Sequence, residues 1–192
     1  MSDKPQIQVI KDFSGFQNLK NDWNRLAKHS DEVYPFLSHE WFEGWFSAFE
    51  HEKNLHIILI KINDIVKAIF PFIKLKDCLQ TASNDHSHTI HFLSDGENNT
   101  LYLHQVFKHF KSTEFLKIVF LDIPENSSKT NKLLSFLKNS NEYYFGVKSV
   151  RSSMLLNIHG GSEKMKRGLS KRFKKRINNV KNKVQKATNA QI

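Results

Sequence analysis

The chain is poor in the residues that build cross-linked or metal-stapled scaffolds. A single cysteine, Cys78, occurs in 192 residues. That excludes an internal disulfide and a multi-thiolate zinc site, and it fits a reducing compartment. No apolar run approaches the roughly 18 residues needed to cross a bilayer. The opening MSDKPQIQVIKD has no hydrophobic signal core, so the expected location is cytoplasmic. Without a signal peptide, the glycosylation-type triplets at Asn98 and Asn126 are coincidental. Glycine and proline are sparse, at seven and four residues, and neither an internal repeat nor a low-complexity tract is present. Acidic residues are missing from one place in particular. Between Lys164 and Lys186 stand eleven basic side chains and no acidic one, so the formal +10 belongs to this segment, and residues 1–163 hold 18 basic against 19 acidic residues. A neutral body argues against a nucleic-acid surface spread over the whole protein.

What is abundant is aromatic. Sixteen Phe, three Trp and four Tyr supply a core of large rings that bury much apolar area at low rotamer cost. The hydrophobic (39%) and charged (25%) fractions are those of an ordinary globular domain, and the length suits one of medium size.

Periodicity along the chain predicts a mixed α/β domain. Gln6–Ile10 alternates as a strand. Phe16, Leu19, Trp23 and Leu26 recur at helical spacing behind Ser14 and Gln17, which have the form of a capping box. After Pro35, Ser38 is placed to cap a second helix on which Trp41, Phe42, Trp45, Phe46 and Phe49 form one broad face. The period then changes to two: Leu55–Ile62 and Ile65–Leu75 flank Asn63-Asp64 as a hairpin. Asp77–Ser87 reads as a polar loop, Thr89–Leu93 and Phe115–Asp122 as strands, and Thr100–Lys111 as a helix. Ser127 or Ser128 caps a helix carrying Leu133, Leu134 and Leu137, and Tyr143–Val150 and Met154–Ile158 read as closing strands. Helices alternating with strands around one hairpin point to a mostly antiparallel sheet flanked by helices.

Gly160-Gly161 marks the expected boundary, with a domain over residues 1–159 and a separate basic segment over 160–192. Beneath its charges, Met165, Leu169, Phe173, Ile177, Val180 and Val184 step by four, four, four, three and four, within about 120° of a helical wheel. The segment is therefore an amphipathic helix. A disordered cationic tail would not keep these residues in register. Three readings remain open: a solvated helix kept soluble by its lysines, an anion-binding helix with Arg172, Lys175 and Arg176 as contacts, and a helix built to pack on another domain. A nucleic-acid partner lacks support, because no Tyr or Trp is interleaved with the basic face to stack bases.

The third reading comes from a resemblance. Trp23-Asn-Arg-Leu26 is followed by Pro35-Phe-Leu-Ser-His-Glu-Trp-Phe42 and Trp45; Ala68-Ile-Phe-Pro-Phe72 follows in the hairpin; Met154-Leu-Leu-Asn-Ile158 precedes Leu169-Ser-Lys-Arg-Phe-Lys-Lys-Arg-Ile177. In order and spacing these segments resemble the CelD/BcsL branch of the GNAT acyltransferases, cousins of the Fem-type aminoacyl transferases. The stretch from Asp77 to Val150 is similar only in element order. The resemblance implies a GNAT-like sheet and a two-domain plan, in which the basic helix leads into a second GNAT-like domain that holds acetyl-CoA or another acyl-CoA. It also implies transfer of an acyl group to an amine or hydroxyl of a sugar or cell-envelope precursor. Acyl-CoA sites of this fold use a turn of the form [Q/R]-x-x-G-x-[G/A], whose N–H groups and following helix hold the diphosphate. None of the glycines at 15, 44, 96, 146, 160, 161 and 168 has Gln or Arg three residues before it. By this reading the chain is a truncated N-terminal half that binds no cofactor and is inactive alone. Its apolar stripe meets a second domain or another copy of itself. The competing reading is a non-enzymatic module whose basic helix docks on nucleic acid or an anionic membrane.

Other candidate chemistry is thin. His86, His88 and His91 sit close to Asp85, but no cysteine or H-E-x-x-H accompanies them, and a polar histidine loop is the simpler reading. His39-Glu40 is followed by Glu43 where a metalloprotease needs His, and Glu40 instead suits the start of a helix, where the dipole favours a carboxylate. Cys78 has only Lys74 and Lys76 nearby in sequence and no pattern that activates it. Asp85, Asp95 and Asp122 are general-base candidates if they line a cleft. The aromatic run Trp41–Phe49 reads as core rather than as a sugar platform.

Overall fold

The computed structural model describes residues 4–29, 35–49, 54–84, 86–87, 90–96, 98–149 and 166–188. The chain forms two compact units, Met1–Val147 and Lys148–Ile192.

The first unit is a mixed α/β domain with a six-stranded, mostly antiparallel sheet between helices. Its elements are β1 (Gln6–Ile10), α1 (Phe13–Asn18), α2 (Lys20–Lys28), a 3-10 turn (Pro35–Leu37), α3 (His39–Phe49), β2 (Leu55–Ile62), β3 (Ile65–Leu75), β4 (Cys78–Thr81), β5 (Leu93–Ser94), α4 (Asn99–Lys111), β6 (Lys117–Val119) and α5 (Ser128–Asn139). The strand order is β1-β2-β3-β4-β6, with β5 also beside β3; every pairing is antiparallel except β4 with β6.

Alternation on β2 and β3 divides two cores. Leu55, Ile57, Leu59, Ile69 and Ile73 pack with Phe16, Trp23, Leu26, Phe42, Trp45 and Phe46 of α1–α3. Ile58, Ile60, Phe70 and Phe72 pack on the other face with Tyr102, Val106, Phe110, Leu133 and Leu137 of α4 and α5. A strand covered on both faces loses polar positions, and Leu55–Ile60 is buried without a break. The aromatic α3 is thus mainly core, although Trp41 and Phe49 remain exposed.

The hairpin turns where the alternation requires it. Asn63 (φ 52°) and Asp64 (φ 63°) both adopt the left-handed conformation of the tight turn that matches strand twist, which Asn and Asp tolerate better than other side chains. The β2–β3 register shifts between Ile60 and Lys61, leaving Lys67 as the extra residue of a bulge. Ser38 Oγ accepts from the Trp41 N–H at 3.2 Å, and Ser127 from Thr130 at 3.2 Å, as the cap readings expected. Lys129, in the first turn of α5, is buried, donates to the Phe92 carbonyl at 3.0 Å and lies 5.6 Å over the Phe92 ring.

Several expectations need correction. The first helix is capped by Asp12, whose Oδ1 accepts from the Gly15 N–H at 2.7 Å. Ser14 lies inside it, and the run splits into α1 and α2 at Leu19. Cys78–Thr81, read as loop, is a strand held between β3 and β6. Among the described residues of Thr89–Leu93 only Leu93 is strand, continuing to Ser94, and Phe115–Asp122 shrinks to Lys117–Val119. No strand forms over Tyr143–Ser149; Tyr143 instead donates its hydroxyl to the Phe107 carbonyl at 3.1 Å. Val150, Met154–Ile158, Gly160-Gly161 and Met165 lie outside the described residues.

The second unit contains α6 (Lys171–Thr188). Ser170 Oγ accepts from the Phe173 N–H at 3.3 Å, and Lys174 Nζ donates to the Arg167 carbonyl at 3.1 Å. Phe173, Ile177, Val180 and Val184 are exposed, as are Arg172, Lys175 and Arg176. No helix among the described residues is long and apolar enough to cross a membrane.

Candidate functional site

Two features of the sheet shape a cleft. Strand β4 pairs with β3 as far as Thr81, and β5 pairs with β3 again from Leu93, so two separate pairings with the same strand flank residues 82–84 on one side and residues 90–92 on the other. Pro71 stands between the two pairings. Its carbonyl accepts from the Ala82 N–H at 3.0 Å, so its missing N–H faces the departing strand and costs no ladder bond to β2. Beyond the parallel pair, Thr81 Oγ1 accepts from Leu121 N–H at 2.8 Å and donates to the Leu121 carbonyl at 3.1 Å. This side chain closes the end of β4 against the segment after β6.

The resulting feature is a shallow, open depression bordered by Phe49, Gln80, Ser83, Asn84, His86 and Leu121. Asn84 organises its rim: Oδ1 accepts from Trp45 Nε1 and from the His86 N–H, both at 2.9 Å. The His86 ring stacks on Phe49 with centroids 4.7 Å apart. Ser83 donates its hydroxyl to the Asp122 carboxylate. Asp122 has φ 56°, and its carbonyl accepts from the Ile90 N–H at 3.2 Å, which fastens residues 90–92 to the end of β6. The Ser83–Asp122 bond ties the buried Ser83 side chain to the segment after β6. Sequence reasoning named Asp122 but missed Ser83, because the two are 39 residues apart and meet only through the β4–β6 pairing.

The remaining sequence candidates are dispersed. Asp95 precedes α4, where Lys67 Nζ approaches at 3.0 Å and the Tyr102 hydroxyl donates at 3.0 Å. Asp85 and His88 lie outside the described residues. His91 is buried, and burial, with Lys129 nearby, holds its pKa down at about 3. Among the described residues no three His, Cys, Asp or Glu side chains gather to hold a metal. Burial raises the Cys78 thiol above its ordinary pKa, which disfavours the reactive thiolate. Glu40 lies in the first turn of α3 as expected. Its own backbone N–H, the Asn24 carboxamide and Lys20 hold its pKa at about 2.

The turn from β5 into α4 can be tested as a diphosphate cradle, because helix N-termini hold such anions. The turn contains one glycine, Gly96 (φ 84°), and the position three residues earlier is Leu93, buried in β5. Ser94 Oγ donates to Asn99 Oδ1 at 2.6 Å, and Asp95 places a carboxylate beside the helix start. A turn whose Ser94 and Asn99 side chains bond each other, and whose Asp95 carboxylate already occupies Lys67 and the Tyr102 hydroxyl, does not fit a diphosphate.

The class defined by these features is a three-layer α/β domain with a mostly antiparallel sheet and one parallel strand pair. No family model matches the chain, and no curated protein matches it. Among solved structures it is similar to a ribosomal-protein-alanine N-acetyltransferase from Brucella melitensis biovar Abortus 2308, at 8% identity and a TM-score of 0.45, covering 78% of this chain and 100% of that one. It is also similar to a possible acetyltransferase from Clostridium difficile 630, at 10% identity and a TM-score of 0.46, covering 80% and 99%.

Proposed function

We propose that the chain is the acceptor-side, GNAT-like half of an acyl-CoA-dependent N- or O-acyltransferase that acts on a sugar or cell-envelope precursor. Acyl-CoA is held by a second GNAT-like domain, and this half is inactive alone. The order of the tryptophan, proline and L-S-x-R segments supports the family resemblance, and the polar depression bordered by Gln80, Asn84 and His86 supports an acceptor role. The observation that supports the division of labour is the turn before α4, where Ser94 bonds Asn99 and Asp95 is taken up by Lys67, leaving side chains already paired with each other. Calorimetry of the chain with acetyl-CoA is expected to give no saturable heat. Saturable binding overturns the proposal.

A second reading is favoured by α6, where exposed Arg172, Lys175 and Arg176 stand without an acidic neighbour on the helix. A module docking there on RNA or anionic vesicles would bind strongly at low salt and release steeply as salt rises. Salt-insensitive or absent binding counts against it.

A further inference from the structure

A cavity of about 530 Å³ opens at the opposite end of α4 from Asp95 and lies within the size range of small-molecule sites, roughly 300–1,000 Å³. Strand alternation gathers basic side chains at its mouth. The β1–β2 register pairs Ile10 with Ile57, which sets Lys11 beside His56. His56 and Lys74 share the sheet face of Ile58 and Phe72, the α4 side. The groups that line the cavity are Lys11 from the end of β1, His56 from β2, Lys74 from β3, Lys76 and Asp77 from the following turn, His109 from α4, and Glu114 with Phe115 beyond it. Three ammonium groups and two imidazoles thus face two carboxylates.

The interior holds two unpartnered imidazole nitrogens, each of which donates in the tautomer that carries its proton on Nε2. His56 is 6% exposed, and its ring meets Phe115 edge-on at 5.4 Å, yet Nε2 has no hydrogen-bond partner. Nε2 of His109, on the opposing helix, is buried and unpartnered too. Two such nitrogens lining one cavity disfavour folding unless something pairs with them. Lys74 lies 5.6 Å over the Phe115 ring. A helix C-terminus ordinarily repels anions, but here two of the last four carbonyls are covered by side chains. Ser112 Oγ donates to the His109 carbonyl and Thr113 Oγ1 to the Phe110 carbonyl, both at 2.7 Å. Three lysines around the imidazoles also make the site a poor one for a cation.

We propose that this cavity binds a small organic molecule through a dianionic phosphate group, whose oxygens accept hydrogen bonds from His56 Nε2, His109 Nε2 and the ammonium groups of Lys11 and Lys74. Binding draws protons onto the imidazoles, because a dianion between them favours their charged form. Lys76 adds to the positive field, and Asp77 and Glu114 oppose it.

The test uses the whole chain, titrated with inorganic phosphate and, separately, with sulfate, with chloride holding ionic strength constant, while imidazole nitrogen resonances are followed. The His56 and His109 signals are expected to move saturably with phosphate and sulfate and not with chloride. Sulfate, a dianion throughout, is expected to bind more tightly at pH 6 than at pH 8. Lys11→Gln and Lys74→Gln, both changes of exposed side chains, should each weaken binding about tenfold, the scale of one charged hydrogen bond. His56→Phe, checked for folding by its urea midpoint, should abolish saturation. Shifts equal to those with chloride, no shifts, or undiminished affinity in both lysine variants overturn the proposal. So does a response of the two imidazoles to zinc in place of the oxyanions.

Discussion

Trp23 donates its indole N–H to the carbonyl of Leu37 at 2.9 Å in a buried setting. This bond joins the W-x-x-L segment of α2 to the P-F-L-S turn that opens α3, so two sequence motifs are two halves of one contact. Trp23→Phe keeps most of the ring packing against Phe16 and Phe42 but strands the Leu37 carbonyl. The expected loss is about 1–3 kcal/mol, read from urea unfolding. Trp23→Ala should lose more, about 3–5 kcal/mol. Equal stability of the phenylalanine variant and the parent would show that the bond contributes nothing.

Asn24 holds the same junction from the other side. Its Oδ1 accepts from the His39 N–H at 3.0 Å, and its Nδ2 donates to both Glu40 oxygens at 3.1 Å. With its folded pKa at about 2 and an unfolded value near 4.3, Glu40 stabilises the fold above about pH 4.3 and loses that contribution as pH falls toward 2. A carboxyl titration by NMR is expected to give a midpoint near 2 for Glu40. Asn24→Ala should move it upward, and an unmoved midpoint would remove Asn24 as a cause.

Two buried histidines act in the same direction, since they too must stay deprotonated. Burial keeps His56 at about 4, with Lys11, His109 and Lys74 adding to the effect, and His91 at about 3. Unfolded histidine titrates near 6.5. The unfolded chain therefore takes up protons first, and stability is complete above about pH 6.5 and drains as pH falls toward the folded values. The unfolding free energy from urea titrations should drop between pH 7 and pH 5, by up to about 1.4 kcal/mol per histidine for each pH unit. The slope should be shallower in His56→Phe. Identical slopes would place the acid sensitivity elsewhere.

The apolar stripe of α6 bears on the proposed second domain or self-association. Phe173 is its largest exposed side chain. Phe173→Asp is expected to reduce any oligomer seen by light scattering, raising the dissociation constant at least tenfold, about 1.4 kcal/mol. An unchanged association state would detach the stripe from that role.

Local chemistry was legible where it acts over a few residues. Ser38, Ser127 and the Asn63-Asp64 turn could be read directly, since each works on neighbours no more than four positions away. Asp12 was overlooked because Ser14 and Gln17 offered an equally good local pattern; the choice falls to Asp12 through its bond to Gly15. Strand β4 could not be seen at all. Cys78-Leu-Gln-Thr81 is short and half polar, and it becomes a strand because β6, nearly forty residues later, runs parallel beside it. Ile90 gives its N–H to the Asp122 carbonyl rather than to a ladder, so the expected strand before Leu93 shortens. The Ser83–Asp122 contact and the His56–His109 cavity were hidden for the same reason, since their members meet only after the sheet is assembled.

The sunken ammonium of Lys129, capped by the Phe92 carbonyl, gives the domain a built-in gauge of its own breathing. An amine-reactive label marks the wet lysines at once and reaches this one only when α5 lifts from the sheet. The delay before Lys129 is tagged therefore measures how often that helix lets go.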